Sequence, residues 1–153
     1  MKTLIVYYSR TNVTREIANR LQKELKCDIE EITDGGKYKG KLGFMKGGVN
    51  ATMGRTSDID PISKDLSEYD LVIVGTPVWS SNMATPIFTF LIKYKDQIKN
   101  MASFCTCMGG GYDKALAKIA EVSGKTQIST MFLTSKDLEN PDEKIDTFIS
   151  NIK

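Results

Sequence analysis

Apolar positions along the chain follow two alternating spacings, which predict five strands separated mainly by helices. Short runs rich in β-branched and aromatic residues have the length of strands, and apolar residues three or four positions apart mark one face of a helix. The predicted strands are Leu4–Tyr8, Cys27–Ile32, Leu71–Gly75, Ala102–Met108 and Thr126–Leu133. The predicted helices have their buried faces at Ile17/Leu21/Leu25, Ile87/Leu91/Tyr94/Ile98, Leu116/Ile119/Ala120 and Ile145/Phe148/Ile149/Ile152.

This alternation indicates a parallel sheet with helices on both faces. A strand that returns parallel to its neighbour needs a long connection, which is usually a right-handed helical crossover. Leu71–Gly75 is apolar throughout, as a central strand covered on both faces requires. The last helix is predicted to begin with Asn140 as its N-cap, followed by Pro141. The fold class is therefore a doubly wound α/β sheet, in which ligands bind beyond the carboxyl ends of the strands.

The segment between the second and third predicted strands departs from this pattern. From Gly35 to Thr56 the chain has seven glycines, five basic residues and no acidic residue. Glycine at this density argues against a full helix. We predict one domain over residues 1–153 with a Gly/Lys-rich excursion at about 35–60. Two interpretations stay open for the excursion, a plain surface segment and a lid or docking surface.

Composition excludes several classes of function. The 153 residues are 41% hydrophobic and 26% charged, which fits one globular domain. No apolar block is long enough to span a bilayer and no signal peptide is evident, so we predict a cytoplasmic protein without a membrane partner. A net charge of +2 with both signs intermixed argues against nucleic acid. The absence of histidine removes Ser-His and Cys-His nucleophiles, and no catalytic or metal-ligating set is predicted.

The turn between the first strand and the first helix has the composition of an anion site. Ser9–Thr14 supplies three hydroxyls and one arginine, and the first acidic residue is Glu16. The first N–H groups of a helix lack carbonyl partners and carry about half a positive charge, which favours a phosphate. Serine, threonine and asparagine are also ordinary N-cap residues, so simple helix capping stays an alternative.

Two further loops are predicted to meet this turn at the same edge of the sheet. The loop after the third strand contains Trp79 beside small polar residues, where an indole is placed to stack on a planar ligand. The loop after the fourth strand has three consecutive glycines and then Tyr112, a candidate second aromatic wall. We interpret Cys105 and Cys107 as buried strand residues and leave open a redox-sensitive Cys107. A flat, phosphorylated ligand fits the three loops together.

With these motifs the chain resembles the flavodoxins over nearly its whole length. The resemblance rests on Ser9–Thr14, on Gly75-Thr76-Pro77-Val78-Trp79 and on the five-strand rhythm. It implies the sheet order 2-1-3-4-5 and bound FMN, with Ser9–Thr14 around the phosphate and the other two loops along the two sides of the ring. The implied cofactor-binding residues are Ser9, Arg10, Thr11, Asn12, Val13, Thr14, Thr76, Pro77, Val78, Trp79, Ser80, Ser81, Asn82, Met108, Gly109, Gly110, Gly111 and Tyr112.

The chain departs from the usual flavodoxin pattern in the loop after the third strand. Many flavodoxins have a glycine beside the flavin ring, whereas no glycine lies between Thr76 and Pro86 here. A left-handed residue in this loop would therefore carry a side chain. Flavodoxins are also typically acidic, whereas this chain has a slight basic excess.

The resemblance implies an FMN-binding flavodoxin that carries one electron at a time between redox enzymes at low potential, and not an enzyme. The alternative is a flavodoxin-like NAD(P)H:quinone or porphyrinogen-type oxidoreductase, for which no candidate general base lies near the loops. A phosphoacceptor signalling domain is disfavoured, because it needs acidic residues where Tyr7-Tyr8-Ser9 and Gly75-Thr76 stand. A binding module without FMN is the remaining alternative.

The expected partners are redox proteins with acidic docking faces. The five basic residues from Lys37 to Arg55 are predicted to form the docking surface, because charge at an interface steers the encounter of two proteins. A second copy of the chain could cover the same segment, so both a monomer and a homodimer stay open.

Overall fold

The computed structural model describes residues 1–33 and 58–153 as a parallel sheet with helices on both faces. The strands are β1 (Thr3–Tyr7), β2 (Asp28–Glu31), β3 (Leu71–Trp79), β4 (Asn82–Met83), β5 (Met101–Thr106) and β6 (Gln127–Leu133). The helices are α1 (Val13–Leu25), α2 (Thr85–Tyr94), α3 (Tyr112–Ser123) and α4 (Asp142–Ile152), and short 3-10 turns cover Leu66–Glu68, Lys95–Gln97 and Asp137–Glu139.

The sheet confirms the predicted fold class. Its order is β2-β1-β3-β5-β6, and all four pairings along this path are parallel. This is the predicted order of the five main strands, since β5 and β6 are the fourth and fifth strands of the sequence pattern. The two-residue strand β4 was not predicted and pairs antiparallel with the end of β3.

Alternate residues of the strands feed two separate cores, one on each face of the sheet. Leu4 and Val6 point to the face covered by α2 and α3, where Phe90 of α2 is fully buried. Ile5 and Tyr7 point to the face covered by α1 and α4, where Phe148 of α4 packs. Both faces of the central strands are therefore buried, which explains their continuous apolar runs.

Two predicted boundaries were wrong. β3 continues from Gly75 to Trp79, because Thr76 and Pro77 still pair with β5 and the next two residues pair with β4. α4 begins at Asp142 with Pro141 at the N-cap position, and no side chain caps it. Asn140 is instead the last residue of the preceding turn, since its N–H donates to the carbonyl of Asp137 at 3.1 Å.

Residues 34–57, with the predicted basic docking surface, lie outside the described residues. Where the description resumes, the Asp60 N–H donates to the Thr33 carbonyl at 2.8 Å, and Ile59 and Ile62 pack on the core of the α2 face. Within residues 1–33 and 58–153, no helix combines the length and the hydropathy that a bilayer crossing needs.

Candidate functional site

A cavity of about 300 Å³ lies where the loops after β1, β3, β5 and β6 come together. This volume is at the lower end of the range for small-molecule sites. In the described part of the chain, Arg10 is the only acidic or basic side chain of the lining. The lining residues are Arg10, Thr11, Val13, Thr14, Pro77, Val78, Trp79, Ser80, Ser81, Thr106, Cys107, Met108, Gly109, Gly110, Ser135 and Leu138.

The structure brings most of the predicted site residues into this lining and leaves the others beside it. Ser9, Asn12, Thr76, Asn82, Gly111 and Tyr112 are the predicted site residues that do not line the cavity. The role of each residue toward a cofactor stays a prediction.

A second depression, of about 550 Å³, lies along α4. It is lined only by residues of this helix and by Asn140, and three of its side chains are the carboxylates of Asp142, Glu143 and Asp146. An acidic surface disfavours an anionic ligand, and none of the predicted site residues reaches it. The cavity between the loops is therefore the candidate site.

The loop after β1 presents its central residues and the first turn of α1 to the cavity. Asn12 is the N-cap of α1 and has a left-handed backbone with φ of 74°. The Ser9 hydroxyl accepts a hydrogen bond from the Arg15 N–H at 3.2 Å, so this serine closes the loop on itself. The Thr14 hydroxyl is buried and lies 2.9 Å from that of Thr106 on β5. Arg10 and Thr11, which lie between Ser9 and Asn12 in the loop, line the cavity.

A tight hairpin turn between β3 and β4 forms the second wall. Ser80 and Ser81 both have positive φ, 50° and 61°, as the two central residues of a type I′ turn do. The residues at left-handed positions therefore carry side chains, as the absence of glycine in this loop predicts. Such a conformation costs about 1 kcal/mol or more for a residue other than glycine.

Trp79 and Tyr112, the two predicted ring-stacking residues, already pack against other aromatic rings. Trp79 borders the cavity but is only 5% exposed, because its ring lies edge-on to Tyr8 at 5.6 Å between centroids. Tyr112 lies against Phe132, with ring centroids 3.8 Å apart. Tyr112 is thus not part of the cavity wall, and the sequence gives no signal for this orientation.

The loop after β5 supplies an exposed wall. Met108 is 83% exposed at the mouth of the cavity, next to Gly109 and Gly110. Gly111, with φ of 83°, approaches the hairpin turn so closely that an added Cβ would lie 2.9 Å from Ser81 Cα. The second and third walls of the cavity therefore touch through this glycine.

Sequence reasoning missed four residues of the lining. Thr106 is the last residue of β5 and Cys107 follows it, whereas Ser135 and Leu138 lie between β6 and α4. Cys105 is fully buried and its burial raises its pKa to about 12, whereas Cys107 is half-buried at the cavity and its pKa is raised, mainly by burial. The fourth loop could have been predicted from the strand order, because it follows the carboxyl end of the last parallel strand.

Asp137 holds this fourth loop in place. Its Oδ2 accepts hydrogen bonds from the Thr134 N–H and hydroxyl, both at 3.0 Å, and from Lys144 Nζ at 2.8 Å. Lys144 Nζ also donates to the Phe132 carbonyl at 3.1 Å. The hydrogen bonds from Lys144 and Thr134 lower the pKa of Asp137 to about 2.

We expect Asp137→Asn to lower the free energy of unfolding by about 2 kcal/mol at neutral pH, because hydrogen bonds to a charged acceptor are lost. The pKa of Asp137 is lower in the folded state, so its stabilising contribution is present above about pH 4 and disappears as the pH falls toward about 2. Urea unfolding across this range should show the wild type and the variant converging. Glu139→Gln, an exposed change in the same turn, should stay within about 0.5 kcal/mol of wild type. A constant difference between Asp137→Asn and wild type would contradict the assignment.

The family model described as Flavodoxin matches residues 2–148. No curated protein matches the chain. A flavoprotein from Lactobacillus acidophilus NCFM, crystallised in complex with FMN, is 27% identical, with 94% of this chain and 97% of that chain covered and a TM-score of 0.73.

Two more distant structures share the fold alone. Oxidised Flavodoxin 1 from Bacillus cereus is 19% identical, with 99% of this chain and 97% of that chain covered and a TM-score of 0.56. A flavodoxin, WrbA-like protein from Agrobacterium tumefaciens is 14% identical, with 98% of both chains covered and a TM-score of 0.59. The family match extends over residues 2–148, a range that contains every residue of the cavity lining. The chain therefore belongs to the flavodoxin family.

Proposed function

We propose that this chain binds FMN in the cavity between the loops and carries single electrons between redox proteins, without a substrate of its own. The observation that supports it most is the cavity itself, which joins an anion-binding loop, a helix N-terminus and a largely uncharged wall at the carboxyl edge of the sheet. Bound FMN would supply the one-electron chemistry. The FMN complex of the Lactobacillus acidophilus flavoprotein supports the same cofactor here.

Each wall has a distinct part in holding the cofactor. The phosphate belongs at Arg10, Thr11 and the first turn of α1, where donors and the helix dipole favour an anion. The hairpin turn Ser80–Ser81 and the segment Met108–Gly110 flank the planar ring. Ser135 and Leu138 close the fourth side.

The lining favours a carrier over an oxidoreductase that acts on an organic substrate. Among the described lining residues there is no carboxylate and no lysine, and burial raises the pKa of the Cys107 thiol. A thiol with a raised pKa is poorly suited to exchange a proton near neutral pH. We also propose a cytoplasmic location and redox proteins as partners, on the composition and charge given above.

The first test is the absorbance spectrum of the freshly purified protein, together with mass spectrometry of the released cofactor. We expect the two visible bands of an oxidised flavin and the mass of FMN. Apoprotein prepared by removing the cofactor should recover the spectrum when FMN is added. Colourless protein that takes up no FMN would overturn the proposal.

The second test separates a carrier from an enzyme. A steady-state assay with NAD(P)H and a soluble quinone should give no turnover above that of free FMN at the same concentration. Reduced protein should instead pass electrons to a one-electron acceptor such as cytochrome c. Saturable quinone reduction that depends on this protein would identify the oxidoreductase alternative.

A further inference from the structure

Behind the loop after β1 lies a network of charged and polar side chains that does not contact the cavity. Arg15 Nε and Nη2 donate to the two carboxylate oxygens of Glu31, each at 2.7 Å. The Tyr7 hydroxyl donates to the same carboxylate at 2.7 Å. Neither Arg15, Glu31 nor Tyr7 lines the cavity. The bidentate geometry fixes the orientation of the Arg15 guanidinium.

Arg15 contacts the loop at two residues. Its Nη1 donates to Asn12 Oδ1, and its backbone N–H donates to the Ser9 hydroxyl. Ser9 and Asn12 enclose Arg10 and Thr11, the two loop residues with side chains at the cavity. One residue therefore secures both ends of the anion-binding segment.

Asn12 needs such support because it is not a glycine. Its backbone is left-handed, which is disfavoured for residues with a Cβ, although asparagine tolerates it better than most. Its side chain is exposed and makes no hydrogen bond that caps α1. The hydrogen bond from Arg15 Nη1 to Oδ1 therefore restrains the Asn12 side chain.

The positive charge of Arg15 is paired with the carboxylate of Glu31. The hydrogen bond from Arg15 lowers the pKa of Glu31, so the pair stays ionised at neutral pH. An opposite charge at 2.7 Å screens the guanidinium from a phosphate in the cavity. Arg15 therefore acts on the loop by geometry and not as a counter-ion.

We propose that Arg15, oriented by Glu31, is a positioning residue that sets the recognition of the phosphate group. It fixes Asn12 in the left-handed conformation, and this directs Arg10, Thr11 and the N–H groups of α1 to the phosphate. The proposal rests on the proposed binding of FMN. It concerns discrimination between FMN and riboflavin, which lacks the phosphate.

The test is the ratio of the affinities of apoprotein for FMN and for riboflavin, measured by fluorescence titration at one salt concentration. We expect Arg15→Met to weaken FMN binding about tenfold, since the charge-assisted hydrogen bond from Arg15 to Asn12 is lost and the anion-binding segment is no longer held. Riboflavin binding should change by less than about twofold, because the ring walls stay in place. An equal loss for both ligands would overturn the proposal.

Two substitutions distinguish positioning from charge. Arg15→Lys keeps the positive charge but lacks the planar fork that contacts Glu31 and Asn12 together, so it should resemble Arg15→Met. Asn12→Gly combined with Arg15→Met should recover most of the FMN affinity, because glycine adopts positive φ without support. Full recovery by lysine, or no recovery by the double variant, would count against the proposal.

Matched variants keep the test decisive if Arg15→Met does not fold. Asn12→Ala, which loses the contact with Arg15 and keeps a Cβ at positive φ, should lower the affinity ratio. Arg20→Met removes another ion-paired arginine of α1, which contacts Glu24 and Asp142 and not the loop, and should leave the ratio unchanged. Wild-type protein that binds neither flavin would refute the proposed function, whereas an unchanged ratio in Arg15→Met and Asn12→Ala refutes only the positioning role.

Discussion

Gly75→Ala is expected to lower the free energy of unfolding by about 3 kcal/mol, because it overpacks a core that cannot expand. A Cβ at this position would lie 2.3 Å from Phe104 Cζ and 2.6 Å from Phe104 Cε1. Phe104 is fully buried, and its ring packs edge-on against Phe148 at 6.5 Å. Thermal unfolding should show a melting temperature about 10 °C below that of wild type for a domain of this size.

The cause can be isolated by shortening the side chain opposite. Phe104 is the direct neighbour of Gly75 across β3 and β5, so Phe104→Leu removes the ring atoms that meet the new Cβ. The double variant should be less destabilised than the sum of the single variants by about 1 kcal/mol or more. Gly109→Ala is the matched control, since nothing lies within 4 Å of its added Cβ. Strict additivity of the two core changes would contradict the overpacking.

Local patterns predicted the fold because the apolar pattern within each short segment indicates both the strand and the faces on which it is buried. Leu71–Val74 is fully buried on both faces. A continuous apolar run of this kind would expose its side chains to water at a sheet edge or in a loop, so it indicates a central strand. The extension of β3 was missed because Thr76 and Pro77 resemble a turn. Proline is uncommon inside strands, but Pro77 pairs here with Thr106 of β5.

The candidate site was predictable where it follows directly from a strand end. The loops after β1, β3 and β5 follow the carboxyl ends of parallel strands, so sequence order places them at one edge of the sheet, and the resemblance to flavodoxins named their residues. Side-chain direction was not predictable in this way, which is why Tyr112 was assigned to the cavity although it packs on Phe132. Arg15 gave no signal either, because its partner Glu31 lies on β2, 16 positions away in sequence.

Gly111→Ala is expected to weaken both the fold and the proposed cofactor site. The residue has φ of 83°, and an added Cβ would lie 2.9 Å from Ser81 Cα and 3.2 Å from Val78 Cγ1. Ser81 belongs to the hairpin turn, so the contact is with backbone that cannot move without reshaping the second wall. We expect a loss of about 2–3 kcal/mol in the free energy of unfolding, from left-handed strain and overpacking together.

The other end of the same helix provides the control that separates these two causes. Gly124 is the C-cap of α3 with φ of 69°, but nothing lies within 4 Å of its added Cβ. Gly124→Ala should therefore cost about 1 kcal/mol, the left-handed strain alone, and should leave FMN affinity unchanged. Gly111→Ala should in addition reduce FMN affinity about tenfold, because displacing the turn disturbs the ring wall. Equal effects of the two substitutions on stability and on affinity would show that the contact between Gly111 and Ser81 does not shape the cavity.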